Sequence, residues 1–260
     1  MAEITDFHVM VGDSIQGDSL TVDELIAEMT RLSIARAILC PVRPYSYDYT
    51  SSNDLVADAR NAHPGRFHAF GRIDARQPEA ALEAERCLGR LQMDGLYLHP
   101  WEDNICAADH RFDPILEVLQ RHRAPVLIAT GYPLLSEALQ VADLAGRFPD
   151  VKVVMTNGGQ INISGLGQRS AWLALQNHEN LYITTSGVYR EDFLEEVATQ
   201  LGGHRLVFAS QAPQFDMDFE LHRVLWAHVD EGLKDRILHQ NAAAVLAAAR
   251  SGGAQPCIWA

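Results

Sequence analysis

No apolar run in this chain is long enough to cross a bilayer, which excludes a helical membrane span. Cysteine is scarce. Cys40, Cys87, Cys106 and Cys257 lie far apart with no C-x-x-C spacing, so neither a disulfide framework nor a structural zinc site is expected. Basic residues are also few: 21 Lys and Arg stand against 34 Asp and Glu, a formal charge of −13 without a basic stripe. Such a surface repels a phosphate backbone and an anionic lipid headgroup alike, so no nucleic acid and no membrane partner is expected. The glycine pattern that cradles a dinucleotide phosphate after a first strand is missing too, because Gly158-Gly159 and Gly165-Leu-Gly167 lack its spacing. No basic and apolar leader precedes the strand-like stretch Ile4 to Val9, so a soluble cytoplasmic protein is the expectation.

What is present alternates. Short β-branched and aliphatic runs near 3–9, 36–41, 67–73, 95–99, 125–130, 151–156, 180–185 and 205–210 read as strands, separated by longer segments at helical spacing. Thr21-Val-Asp-Glu24 forms a capping box, and Val22, Leu25, Ile26, Met29 and Leu32 then recur at three and four residues. Asp113-Pro114 offers an N-cap and a first-turn proline for a later helix. Further helices are carried by Trp172, Leu173 and Leu175, by Phe193, Leu194 and Val197, and by Leu221, Val224 and Leu225. Eight βα units in 260 residues predict an α/β fold, a single (β/α)8 TIM barrel over 1–250, with a C-terminal tail over 251–260. A doubly wound open sheet is the competing architecture. The tail ends in Cys257-Ile-Trp-Ala260 and is expected either to dock on the body or a second subunit or to stay unstructured.

In a (β/α)8 barrel the reactive groups stand at the carboxyl ends of the strands, and side chains alternate inward and outward with period two. Counting back from each strand end gives an inward set of Asp6, His8, Cys40, Arg72, Tyr97, His99, Ala129, Asn157, Ser186 and Gln211.

The order and spacing of several phrases resemble the amidohydrolase-related family. This is the barrel group that includes aminocarboxymuconate-semialdehyde-type decarboxylases and lactone hydrolases. The phrases are Thr21-Val-Asp-Glu-Leu-Ile-Ala-Glu-Met29, Gly65-Arg-Phe67 with Arg72-Ile-Asp74, Gly95 to Pro100, Phe148-Pro-Asp150, Asn180-Leu-Tyr182 with Thr185-Ser-Gly187, Arg205-Leu-Val-Phe208 and Asn241-Ala-Ala243. The resemblance implies a divalent metal held by Asp-x-His-x-His on strand one, histidines on strands five and six, and an aspartate on strand eight. Carried onto this chain, those positions hold His8, Met10, Ala129, Asn157 and Gln211, and only His8 keeps its ligand type. Alanine has no donor, the two amides are neutral, and a thioether is soft for zinc or manganese. No metal and no cofactor is therefore expected.

Without a metal-activated water, the expected chemistry is proton transfer by His8, His99 and Tyr97, with Asp6 holding the His8 tautomer or acting as a base. Tyr97 stands where the family's phrase commonly has lysine. Arg72 is read as a bidentate clamp for a carboxylate, the alternative being an ion pair with Asp74 or Asp6. Asn157 and Gln211 are read as neutral hydrogen-bonding groups for a carbonyl or phenol, the alternative being a mutual hydrogen bond. Trp101, Tyr132 and Gln214 follow strands four, five and eight, where substrate contacts lie, as do Gln160 and Phe215; Tyr45, Tyr47 and Tyr49 suggest further apolar contact or a surface hairpin. Cys40 is read as a packed thiol, with a His-activated nucleophile as the other possibility.

The expected activity is lyase, cyclase, isomerase or decarboxylase chemistry, and less readily hydrolysis, on a small organic carboxylate or phenol. An inactive barrel that binds a ligand or partner is the first alternative. The second is a metal hydrolase with a site built from His8, His99 and Asp216 or Asp103. A homodimer is compatible with the resemblance.

Overall fold

The computed structural model describes residues 3–161 and 165–250, so the expected tail at 251–260 lies outside the described residues. All eight expected strands form. They are β1 (Ile4–Asp13), β3 (Ile34–Pro41), β4 (Phe67–Arg72), β5 (Gly95–Leu98), β6 (Val126–Ile128), β7 (Val153–Met155), β8 (Leu181–Thr184) and β9 (Leu206–Val207). A two-residue β2 (Ser19–Leu20), not expected, folds back antiparallel on the end of an elongated β1, with Gly12 opposite Leu20. From β1 through β3 to β9 each strand pairs parallel with the next. The ring closes where the Phe7 N–H donates to the Phe208 carbonyl, Gln211 N–H to His8 and Met10 N–H to Ala212, each at 2.8 Å. The fold is a (β/α)8 barrel, and the open-sheet alternative falls with those three bonds.

Strand alternation sorts the apolar residues into two layers. Ile38, Phe70, Tyr97, Leu127, Val154 and Val207 cluster inside the barrel, while Leu39, Ala69, Leu96, Val126, Val153 and Ile183 join the larger layer between strands and helices. Strands buried on both faces explain why the runs read as continuously apolar rather than alternating.

Helix α1 (Val22–Arg31) begins with the expected capping box, Thr21 Oγ1 accepting from the Glu24 amide at 3.2 Å and Glu24 Oε2 from the Thr21 amide at 2.9 Å. The next helices are α2 (Tyr49–Ala62), α3 (Ala80–Glu85) and α4 (Asp113–His122). The cap expected at Asp113 is corrected. A short 3-10 turn, His110–Phe112, precedes α4 and is itself capped by Asp109, so Asp113 is already helical and bonds Arg147 instead. Helices α5 (Ala138–Arg147), α6 (Gly165–Asn177), α7 (Glu191–Glu196), α8 (Met217–Leu225), α9 (Glu231–Asp235) and α10 (Asn241–Arg250) complete the outer layer. On α6 the buried stripe is Ala171, Ala174 and Leu175, with Trp172 only half-buried.

Two asparagines of the family phrases brace the barrel. Asn180 Nδ2 donates to the carbonyls of Ala145, Phe148 and Val151, and Asn241 Nδ2 to those of Gly203 and Leu206. Each satisfies carbonyls that would otherwise be buried without partners.

One departure from regular pairing shapes the site. Between Asp6 and Val9, β1 advances three residues while β3 advances two, from Ala37 to Leu39. This bulge breaks the period-two alternation, so Phe7 joins the inner cluster and packs edge-on against Phe70 at 5.8 Å.

Candidate active site

The barrel mouth gathers most of the expected residues. His8, Tyr97 and His99 line up through their rings, with centroids 5.0 Å apart for His8 and Tyr97 and 5.9 Å for Tyr97 and His99. Tyr132 lies 5.3 Å from His99, and Trp101 stacks on Tyr132 at 5.1 Å with the planes 19° apart. Trp101 is 46% exposed, so this stack forms the outer wall of the mouth.

His8 is fully buried, and neither ring nitrogen has a hydrogen-bond partner among the described residues. Burial above all, then the neighbouring His99 imidazole and the Arg72 charge, holds its pKa down to about 3, so the imidazole is neutral at pH 7. His99 is also pushed well below the ordinary histidine value, first by burial and then by the charges of Arg72 and Arg43. Its Nδ1 accepts the Glu102 amide at 3.3 Å, which leaves the proton of the neutral ring on Nε2, 3.7 Å from Glu102 Oε1. Tyr97 is raised well above the usual phenol range by burial and stays protonated; its hydroxyl is 4.0 Å from Met10 Sδ.

Three contacts that the sequence left open are not formed. Asp6 does not hold the His8 imidazole: its Oδ1 accepts the backbone amides of His8 at 3.1 Å and Ser210 at 2.9 Å, bracing the bulge. Its Oδ2 is buried without a partner, and desolvation pushes the carboxyl up to about 7. Arg72 bonds neither Asp74 nor Asp6. It is 1% exposed, its Nη2 lies 2.5 Å from Glu102 Oε2 and 3.5 Å from Asp103 Oδ1, and the rings of Tyr49 and Tyr97 flank it at 4.6 and 5.6 Å. An arginine so enclosed is already neutralised by the chain's own carboxylates. Finally, Asn157 and Gln211 do not bond each other. Asn157 Nδ2 donates to the Thr130 carbonyl and Thr156 Oγ1, both at 3.0 Å. Gln211 accepts from Ser186 Oγ at 3.1 Å and donates to Gln214 Oε1 at 2.7 Å.

Cys40 is buried among the inner side chains, and burial raises its thiol well above the normal range, so it is not a thiolate at neutral pH. Tyr49 turns inward and donates to Asp103 at 3.1 Å, whereas Tyr45 and Tyr47 are exposed.

Two cavities meet at the mouth. The inner one, about 20 Å³, is lined by His99, Glu102, Arg43, Met10, Tyr132 and Gln214 among others. The outer one, about 610 Å³, is lined by Asn157, Tyr189, Phe215, Phe219 and Arg223, and it shares Tyr132 and Gln214 with the first. Tyr132 and Gln214 line both cavities and so stand between the two. Gly131, at φ +99°, allows this turn, because a Cβ there would fall 2.3 Å from the Ile161 nitrogen.

Sequence reasoning missed Glu102 and Arg43, and it read Asp103 only as an alternative metal ligand, not as a partner of Arg72. All three stand in loops just past strand ends, where alternation no longer says which way a side chain points. Only their position directly after the Leu98-His99-Pro100 and Cys40-Pro41 strand ends could have flagged them.

The amidohydrolase family model (Amidohydro_2) matches residues 47–247, and the chain belongs to this family. Gamma-resorcylate decarboxylase of Polaromonas sp. (strain JS666) is 24% identical over 215 residues, 64% of this chain; the chain spans 66% of that relative, just under two thirds of its length. Two crystal structures share the fold. One is 2,6-dihydroxybenzoate decarboxylase complexed with 2,6-dihydroxybenzoate, with a TM-score of 0.78 at 17% identity over 95% of this chain and 99% of that one. The other is dihydroxybenzoic acid decarboxylase from Polaromonas sp. JS666 with bound manganese and the inhibitor 2-nitroresorcinol, with a TM-score of 0.77 at 18% identity over the whole of both chains.

The residues of this chain do not fit a manganese or zinc ion of that kind. A catalytic site generally needs about three good protein donors. Among the described residues no three His, Cys, Asp or Glu side chains converge on one point. The alternative set is not assembled either: Asp216 Oδ1 caps α8 through the Phe219 amide at 2.8 Å, and Asp103 is tied to Tyr49 and Arg72.

Proposed function

We propose that the protein is a decarboxylase of a small hydroxylated aromatic carboxylate that works by proton transfer without a metal. The observation that carries this reading is His99: a buried neutral imidazole with its proton on Nε2, walled by the rings of Tyr97, Tyr132 and Trp101 and depressed in basicity by two arginines. The relatives' names support the substrate class, and the donor set described above supports metal independence.

Decarboxylation needs a proton delivered to the ring carbon that bears the carboxylate. The bond from that carbon to the carboxylate then breaks, its electron pair restores the aromatic ring, and carbon dioxide departs. A neutral imidazole is a poor acid, but binding an anion changes the field. A carboxylate beside Arg43 offsets one of the charges that hold His99 down, so its proton affinity rises as substrate binds. The second proton comes from solvent and goes to Nδ1, displacing the Glu102 amide bond there. Glu102 Oε1, 3.7 Å from Nε2, stabilises the imidazolium, which gives its Nε2 proton to the ring carbon and returns to the neutral form. Tyr97, protonated and central, is placed to orient a phenol oxygen, and His8 is the second proton carrier behind it. Trp101 and Tyr132 supply the aromatic wall, while Asn157 and Gln214 bring neutral hydrogen-bonding groups to the outer cavity and Gln211 holds Gln214 in place.

The test is to incubate the metal-free enzyme with 2,6-dihydroxybenzoate and measure resorcinol by chromatography. His99→Ala is expected to lose about 100-fold or more, the ordinary scale of general acid catalysis. No turnover across a panel of hydroxybenzoates, or a loss of only a few fold in both His99→Ala and His8→Ala, would sink the proposal.

One observation favours a second reading. The inner cavity holds about one water molecule, so the barrel as it stands is nearly filled. On that reading the protein is an inactive barrel that binds an aromatic ligand in the outer cavity. Saturable binding of 2,6-dihydroxybenzoate without product would favour it.

A further inference from the structure

Two arginines reach the mouth, and their surroundings differ. Arg72 is closed off by Glu102, Asp103 and two tyrosine rings. Arg43, two residues beyond β3, makes no ion pair and no side-chain hydrogen bond among the described residues; its guanidinium lies over the Tyr47 ring at 4.7 Å. Its Nε is buried and without a partner; Arg72 Nε is too, but Arg72 Nη2 already meets two carboxylates and Arg43 meets none among the described residues. A buried donor left unpaired is costly, so a site that keeps one is suited to receive an acceptor. Arg43 lines the inner cavity together with His99, and its charge is felt at the His99 ring. Asp18 and Glu102 line the same cavity, yet neither pairs with it.

We propose that Arg43 is the residue that anchors the ligand's carboxylate, a role the sequence pattern assigned to Arg72. This rests on the aromatic-carboxylate reading above and specifies how the ligand is oriented. The inner cavity, about 20 Å³, is too small for a ring, whereas the adjoining cavity of about 610 Å³ is lined by Phe215, Phe219 and Tyr189. The ring lies on the outer side, and the carboxylate reaches Arg43 past the Tyr132 and Gln214 partition. That orientation brings the carbon to be protonated toward His99. A planar guanidinium can take both carboxylate oxygens, which an ammonium cannot do.

The experiment is calorimetric titration of 2,6-dihydroxybenzoate and of resorcinol, which lacks only the carboxylate, into wild type, Arg43→Met and Arg43→Lys. Wild type is expected to bind the carboxylate more tightly than resorcinol. Arg43→Met should weaken the carboxylate roughly 10- to 100-fold and leave resorcinol within about twofold, and Arg43→Lys should restore part of the loss. If Arg43→Met does not fold, Arg43→Lys carries the test, with a loss of several fold for the carboxylate alone. Unchanged carboxylate binding, equal loss for both ligands, or a wild type that binds no carboxylate overturns the assignment. The two readings separate cleanly. Arg43-dependent binding without resorcinol formation removes the decarboxylase and keeps the anchor; turnover indifferent to Arg43 removes the anchor and keeps the decarboxylase.

Discussion

Arg72 Nη2 and Glu102 Oε2 lie 2.5 Å apart inside the barrel mouth, with Arg72 1% exposed. The pair joins the end of β4 to the loop after β5, and the same Glu102 faces His99. Removing one partner of such a pair strands the other charge in a dry site, which is more damaging than never having had it.

Glu102→Gln leaves Arg72 with Asp103 alone, which bonds it at the longer distance of 3.5 Å. The expected loss of stability is about 3 kcal/mol, read from urea unfolding. Arg72→Met combined with Glu102→Gln should cost less than the sum of the two single changes. Strict additivity would show that the two side chains do not act as a pair.

Asp6 gives a signed pH dependence. Its folded pKa is raised from 3.8 to about 7, so the folded protein binds a proton that the unfolded chain has released. Stability from this group is present below pH 3.8 and declines as pH rises through about 7, at up to about 1.4 kcal/mol per pH unit. Asp6→Asn keeps an oxygen acceptor for the Ser210 amide and removes the ionisation. The variant is expected to gain on wild type between pH 4 and 7 in urea midpoints, and a flat difference would contradict the assignment.

His8 runs the other way. Its folded pKa is lowered from 6.5 to about 3, so the unfolded chain binds the extra proton and stability rises from pH 3 to 6.5. His8→Gln should flatten that rise while leaving the Asp6 decline visible. A double variant with Asp6→Asn separates the two slopes.

Tyr132 lines both the inner and the outer cavity and stacks on Trp101. Tyr132→Ala removes the stack and the ring that both cavities share, which should merge the two cavities and shift Trp101 emission to the red. The shift should vanish when Trp101→Phe is added, since the chain has three other tryptophans among its four. Loss of the packed ring should also cost about 3 kcal/mol or less, because Tyr132 is only half-buried.

Metal analysis of protein purified without chelator should find well under one zinc or manganese per chain, and chelator should leave activity unchanged. About one tightly bound ion per chain would overturn the metal-independent reading.

Much of this was legible in the order of residues. The alternation of apolar runs and helical stretches determined a (β/α)8 barrel, because parallel strands buried on both faces require continuous aliphatic runs and crossover helices. Position at the strand ends determined that Asp6, His8, Tyr97, His99, Asn157 and Gln211 would face the barrel mouth, and identity determined that Met10, Ala129, Asn157 and Gln211 are poor donors at the positions of the family's ligands. Which of them touch was decided only by the tertiary structure. One extra residue in β1 turned Asp6 toward backbone amides and left His8 with no partner. Carboxylates from the loop after β5 occupied Arg72, while Arg43 from another loop remained unpaired among the described residues. Strand periodicity is set by local backbone geometry and can be read along the chain; the neutralisation of one arginine and not another depends on loops 30 and 60 residues apart, and only packing brings those together.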